Sequence, residues 1–398
     1  IGYNYLDDAT TGNNNTTLGV STGANITTGS SNNLIGLNAG INITTGSFNE
    51  VIGVNALNSN QTGSNNVVMG VNGAMTATGN ANVCIGSNTF RGSNNSGSNN
   101  VAVGSSALFA AGGASDNVAI GAAAGADVTT GTANVLIGRT AGADLTTQAN
   151  NVAVGYLSQD TATGTQNTSV GSNALRKTTA NENTAIGYFA GKEITSGSAN
   201  TTVGHNSLDA NTSGGSNVAI GAQALSSNTT ADNNTACGSF SLRDNTTGTG
   251  NVAIGRSALI LNTTGISNVV IGTRAAQALT TNNDNVVVGY EASYTTTGSH
   301  ESAIVGYQAH YAGTGGYRMA ALGKQALYNS RSQGNVGIGY QAGYNLTTGG
   351  NWVCIGFEAG RAETTNGTGV AIGYRANKNG TGVGNFAIGG HCMEGTSF

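Results

Sequence analysis

The strongest constraint on this chain is a pentad that returns from one end to the other. Asn117-Val118-Ala119-Ile120-Gly121 and Asn251-Val252-Ala253-Ile254-Gly255 are two of its copies. With its glycine as the marker, there are 24 repeats between Gly2 and Gly389, separated by 16, 17 or 18 residues. A unit this short cannot be a domain. It is one coil of a solenoid, and it buries its apolar face only against the next coil. A chain of 398 residues would otherwise suggest two or three globular domains. The unbroken repeat predicts instead one elongated domain over 1–398, and the start at Ile1 in mid-repeat reads as a piece of a longer protein.

Within a coil, the pre-glycine residue is Ile, Val, Leu or Met in every repeat but that of Cys237. The residue two positions earlier is mostly Val or Thr, so the two share one face of an extended strand. This Ile/Val row is expected to form the shared core. The residue between them is small in many coils, as at Ala102, Ala119, Ala153, Ala185, Ala219, Ala253 and Ala371. It is expected to face outward, onto identical chains. After the glycine come a variable residue, a turn that tucks in a small side chain (Ala39, Ala56, Ala107, Ala174, Ala224, Ala342), and a second short extended piece. That piece ends in Thr-Thr-Gly, as at Thr44-Thr45-Gly46, where glycine would supply positive φ. The fold class expected is therefore all-β: a parallel β-solenoid or β-roll of about 24 coils with a 17-residue period and two short strands per coil. Stacked at the strand spacing, the coils would make a rod of roughly 115 Å. The asparagines at the head of the pentad (Asn32, Asn66, Asn117, Asn217, Asn251) should stack as an amide ladder.

Composition agrees with a ladder that needs its N–H groups, since the chain has 64 Gly and no Pro. Charged residues are only 8% and the net charge is −4, with no basic patch, which argues against nucleic acid as a partner. No apolar run approaches the roughly 20 residues of a membrane-spanning helix, so membrane insertion is not expected. The four cysteines, Cys84, Cys237, Cys354 and Cys392, lie far apart and read as small buried hydrophobes.

No catalytic constellation emerges. His205, His300, His310 and His391 lie on different coils; His205 and His310 occupy variable, surface-type positions, and His391 beside Cys392 is a thin hint of a metal pair. Asp7-Asp8 is the one adjacent acidic pair, and the Gly-rich run at 380–384 lacks the helix and Lys-Ser/Thr of a phosphate loop. No enzyme activity, cofactor or metal is therefore expected. Sequons occur at Asn25, Asn42, Asn228, Asn245, Asn262 and Asn345. One feature stands above the repeat. The residue just after the marker becomes aromatic toward the C-terminal end, at Tyr290, Tyr307, Tyr340, Phe357 and Tyr374, interrupted by Lys324. Such a row either stiffens the stack or offers a strip for a cell-surface glycan or receptor.

Asn-Val-Ala-Ile-Gly followed by a small residue resembles the head repeat of YadA-like trimeric autotransporter adhesins, and similar repeats occur in bacteriophage tail fibres. The resemblance covers essentially the whole chain and brings no catalytic residues. It implies a left-handed parallel β-roll, a homotrimer around a common axis, and an extracellular location on a virion tail fibre or cell surface. The function expected is a structural fibre: the rod section of a phage tail fibre or surface adhesin that mediates attachment to a host or surface. The alternative is a purely architectural filament subunit that self-assembles end to end. An ice-binding Thr array and a glycosidase carboxylate pair are weaker readings, because adjacent Thr residues point to opposite faces and no acidic pair recurs.

Overall fold

A computed structural model describes residue 8 and residues 10–93, 95–313, 315–364, 367–380 and 384–395. The first marker Gly2, Asp7 and residues 381–383 of the Gly-rich run lie outside the described residues. The chain forms two compact units, Ile1–Ser198 and Ala199–Phe398. Each is a parallel all-β solenoid with one strand per coil. Among the described residues the first holds eleven strands, from β1 (Thr16–Leu18) to β11 (Thr184–Ile186), and the second holds twelve, from β12 (Thr201–Val203) to β23 (Phe386–Ile388). Every strand is three residues long, and no described residue is helical.

The register follows the repeat. β7 (Val118–Ile120) lies on β8 (Val135–Ile137) with Val118 beside Val135, Ala119 beside Leu136 and Ile120 beside Ile137. In the second unit β15 (Val252–Ile254) pairs the same way with β16 (Val269–Ile271). Each row of the sequence thus becomes a row in space.

The faces of the strand are the reverse of the sequence expectation. The mid-strand row is the interior: Ala102, Ala119, Ala153, Ala185, Ala219, Ala253 and Ala371 are fully buried. The pre-glycine row points outward, with Ile120 and Ile254 each 39% exposed. The cause is volume. The turn after the glycine sends its own side chains into the same narrow interior, namely the small residue expected there (Ala39, Ala107, Ala224) and, one position on, a larger one such as Leu108, Leu225 or Leu259. Where the mid-strand residue is leucine, at Leu34 and Leu136, that turn position is glycine. A Cβ on Gly142 would come 2.6 Å from Leu136, and one on Gly40 would come 3.1 Å from Leu34. In such coils a large residue on the strand is matched by a small one in the turn, or the reverse, so that the interior is filled once.

The marker glycines have one reason for their regularity. Their φ runs from +123° at Gly389 to +145° at Gly19. A Cβ on Gly255 would lie 2.7 Å from the Gly272 carbonyl carbon and oxygen. Only a residue without Cβ permits both that conformation and that approach.

The Thr-Thr-Gly arm is not a second strand. Three successive N–H groups, of Thr27, Thr28 and Gly29, converge on the single carbonyl of Thr44 at 3.0, 3.2 and 3.1 Å. A strand alternates its N–H directions, whereas this arm curls into a cup of donors. Its glycine is not left-handed either. Gly29 is required because a Cβ there would sit 2.3 Å from the Gly46 carbonyl oxygen. The asparagine ladder closes the coil against this arm. Asn251 donates through Nδ2 to the Gly265 carbonyl (2.8 Å) and to Asn234 Oδ1 (3.2 Å), and its own Oδ1 accepts from Asn268 N and Nδ2, both at 3.0 Å. Such ladders run from Asn15 to Asn183 in the first unit and from Asn200 to Asn285 in the second.

Candidate functional site

The post-glycine residues of the second unit stand where the sequence puts them. Tyr290, Tyr307, Tyr340, Phe357 and Tyr374 are 36–47% exposed. They form a column: Tyr290 and Tyr307 stack with ring centroids 5.5 Å apart, Tyr340 and Phe357 at 5.0 Å, and Phe357 and Tyr374 at 5.3 Å. Lys324 bridges the gap, its Nζ 5.4 Å from the Tyr307 ring and 5.9 Å from that of Tyr340. Ring faces are therefore turned on one another or on Lys324. The column favours stacking along the unit over flat sugar–ring contact.

A second column escaped the sequence reading. Tyr294, Tyr311, Tyr328 and Tyr344, each five residues after its marker, stack with centroids 5.2, 5.1 and 4.8 Å apart. The signal was present as the same spacing in the first turn. A polar row lies one residue after the outer column. Arg274 contacts Glu291 at 3.4 Å, Gln308 donates to Glu291 at 3.0 Å, Gln325 to Gln308 at 3.1 Å, and Gln341 to Gln325 at 2.9 Å. Further along, Glu358 is held below the usual carboxylate range, first by its hydrogen bond from Lys378 and then by Arg361 and Arg375. The Tyr290 hydroxyl is shifted up by its hydrogen bond to Glu291. Burial raises Tyr311 and Tyr328, and nearby acidic and phenolic groups add to it.

The histidines separate. His205 is exposed. His310, expected at the surface, is fully buried; it takes the turn position that Leu fills in other coils. Its Nε2 lies 2.9 Å from the Ser330 carbonyl, and burial pushes its pKa down to about 4. His300 bonds Asn282 and the Asn283 N–H, and His391 pairs with Glu394 rather than with Cys392. Among the described residues no group of three or more His, Cys, Asp or Glu side chains is placed to hold a metal ion. Cys84 and Cys354 are buried, their thiols pushed up to about 12. Cys237, in the outward pre-glycine row, is half-exposed, contrary to the expectation of a buried hydrophobe. Asn228, Asn245 and Asn262 are sealed in an interior ladder, whereas Asn25, Asn42 and Asn345 are half-buried sequons.

The most extensive surface feature is the strand face itself. Ile, Leu, Val and Met of the pre-glycine row lie exposed or half-buried, with Ile52, Met69, Val170 and Ile186 in the first unit and Ile220, Ile271, Leu322 and Ile338 in the second exposed. Beside them run the residues that open the strands, mostly half-buried Val and Thr. No family model and no curated protein matches the chain.

Proposed function

We propose that this chain is a non-enzymatic segment of an extracellular fibre, the rod section of a phage tail fibre or surface adhesin, and that it works as a homotrimer joined through its strand faces. The observation that carries this reading is the exposed apolar strand face of each unit. Soluble monomers rarely leave a large contiguous apolar patch in water, and patches of that kind mark sites of association. A flat face repeating at the strand spacing fits an identical face on another copy, coil against coil. The uniform coils position a contact made elsewhere, and the aromatic column stiffens the segment that bears it. Attachment to a glycan or receptor on the host belongs to the same reading.

Sedimentation equilibrium gives the decisive mass. Three copies are expected, and a stable monomer at micromolar concentration overturns the proposal. The contact has its own probe in Cys237. With Cys392→Ser, a short bis-maleimide should join Cys237 of two copies into a covalent dimer on a denaturing gel. Quantitative modification with no dimer would place the strand faces apart.

A further inference from the structure

We propose that the inner tyrosine column is a site of oxidative cross-linking, in which a one-electron oxidant joins phenols on successive coils as dityrosine. Tyr294, Tyr311, Tyr328 and Tyr344 are four consecutive phenols with interplanar angles of 18°, 9° and 12° and centroids 5.2, 5.1 and 4.8 Å apart. Near-parallel rings at that distance place the ortho carbons of one phenol opposite those of the next. Two radicals formed in the column meet by tilting within the stack, without either chain segment diffusing. The backbone that carries them is fixed by bonds between the same coils, such as Tyr311 O to Thr295 N at 3.0 Å and Tyr328 O to Ala312 N at 2.8 Å.

The chemistry balances with a peroxide as oxidant, used through a haem peroxidase. Each of two tyrosines loses one electron and its phenolic proton. The two phenoxyl radicals couple through ortho carbons, and the ortho hydrogens return to the oxygens as the rings regain aromaticity. The two electrons and two protons reduce one hydrogen peroxide to two waters. The product links a coil covalently to its neighbour, so the stack no longer relies on three-residue strands alone at that place.

The outer column supplies an internal contrast. There, Tyr290 and Tyr307 are the one phenol–phenol pair, while Tyr340 and Tyr374 stack on Phe357. Phenylalanine cannot form a phenoxyl radical, so Tyr340 and Tyr374 should stay unlinked within the column although both are exposed.

The test treats the folded chain with horseradish peroxidase and limiting hydrogen peroxide, then reads dityrosine fluorescence and tryptic cross-links. The peptide 325–331 carries Tyr328 as its sole tyrosine. It should be found joined to the peptide ending at Arg318 through Tyr311, and to the peptide 332–361 through Tyr344. Tyr311→Phe with Tyr328→Phe keeps the ring stack and should lose most of the fluorescence. Because half-buried rings resist a bulky enzyme, photolysed ruthenium tris-bipyridyl with persulfate serves as a small second oxidant. Links scattered over Tyr156, Tyr188 and Tyr317, links between chains only, an unchanged yield in the double Phe variant, or no links with either oxidant would each overturn the proposal.

Discussion

Aspartate at two adjacent positions of one strand separates the interior from the outer face. Ala253 is fully buried between Ala236 and Val270 in the mid-strand row. A carboxylate there has no partner, and an uncompensated buried charge costs on the order of 3–5 kcal/mol. That is a large share of the roughly 5–15 kcal/mol that holds a domain together. Ile254 is 39% exposed. If full burial of Ile is worth ~1.5–3 kcal/mol, replacing it by Asp forfeits about three-fifths of that, ~0.9–1.8 kcal/mol, within one chain. The remaining two-fifths, ~0.6–1.2 kcal/mol per copy, is available to the contact between copies. Ile254→Asp also sets like carboxylates together in that contact. Denaturant unfolding followed by circular dichroism should therefore rank Ala253→Asp as the more damaging by at least ~1 kcal/mol. Sedimentation should show Ile254→Asp as a folded species of lower mass. Equal loss of stability in the two variants would refute the assignment of inside and outside. A folded Ile254→Asp that keeps the parent mass would refute the contact.

Other substitutions test the coil itself. Gly255→Ala should destabilise by at least ~2 kcal/mol, because backbone strain of ~1–3 kcal/mol adds to a clash with the next coil. Gly389→Ala should be milder in the same melt, since its φ is +123° but nothing lies within 4 Å of the added carbon. His310 is neutral when buried, with its pKa lowered to about 4. The unfolded chain binds its proton first, so His310→Leu should remove a loss of stability that the parent shows as pH falls from about 6.5 toward 4. An unaltered pH profile would rule that residue out as the cause. Glu363 is buried with Oε2 unpartnered, its Oε1 accepts from Asn377 and Asn385, and burial raises its pKa. A raised folded pKa gives stability at low pH that fades as pH rises, so Glu363→Gln should gain ~1–2 kcal/mol at neutral pH and little under acid. A variant that melts lower at neutral pH would contradict this.

Much of the fold was legible because each repeat reports on the same physical slot. The strand position, its parallel register, the asparagine ladder and the outward aromatic column all follow from period and residue type. Which side of Val-Ala-Ile faces in did not. A three-residue strand has two β-branched residues on one face and one small residue on the other, and burial of apolar bulk favours the wrong face. The deciding quantity is interior volume, which Leu225 and Leu259 have already taken, and that is set by a turn whose direction the pattern alone does not give. The arm was misread for a related reason: Thr favours extended backbone, but the cup of N–H groups on one carbonyl depends on how close the next coil comes. Tyr294, Tyr311, Tyr328 and Tyr344 were overlooked because they sit in a turn, where no periodic face draws the eye. His310 and Cys237 each took the opposite side from the one assigned, since a variable position can point inward and a conserved-looking apolar row outward.

The asparagine and strand ladders also make length an adjustable quantity. Nearly every bond described reaches to the adjoining coil, as when Asn251 Nδ2 meets the Gly265 carbonyl fourteen residues on and Asn268 N meets Asn251 Oδ1 seventeen on. Loss of residues 239–255 would bring Arg256 directly after Gly238, and each row would close over the gap with a residue of its own kind. Removal of one residue from a strand would instead turn its side chains over, because they alternate. Coils of 16 and 18 residues show that the arm, rather than the strand, absorbs single insertions. Gene duplication or deletion can therefore lengthen or shorten such a stack in steps of about 4.8 Å without rewriting any contact, as a ruler is cut at its graduations.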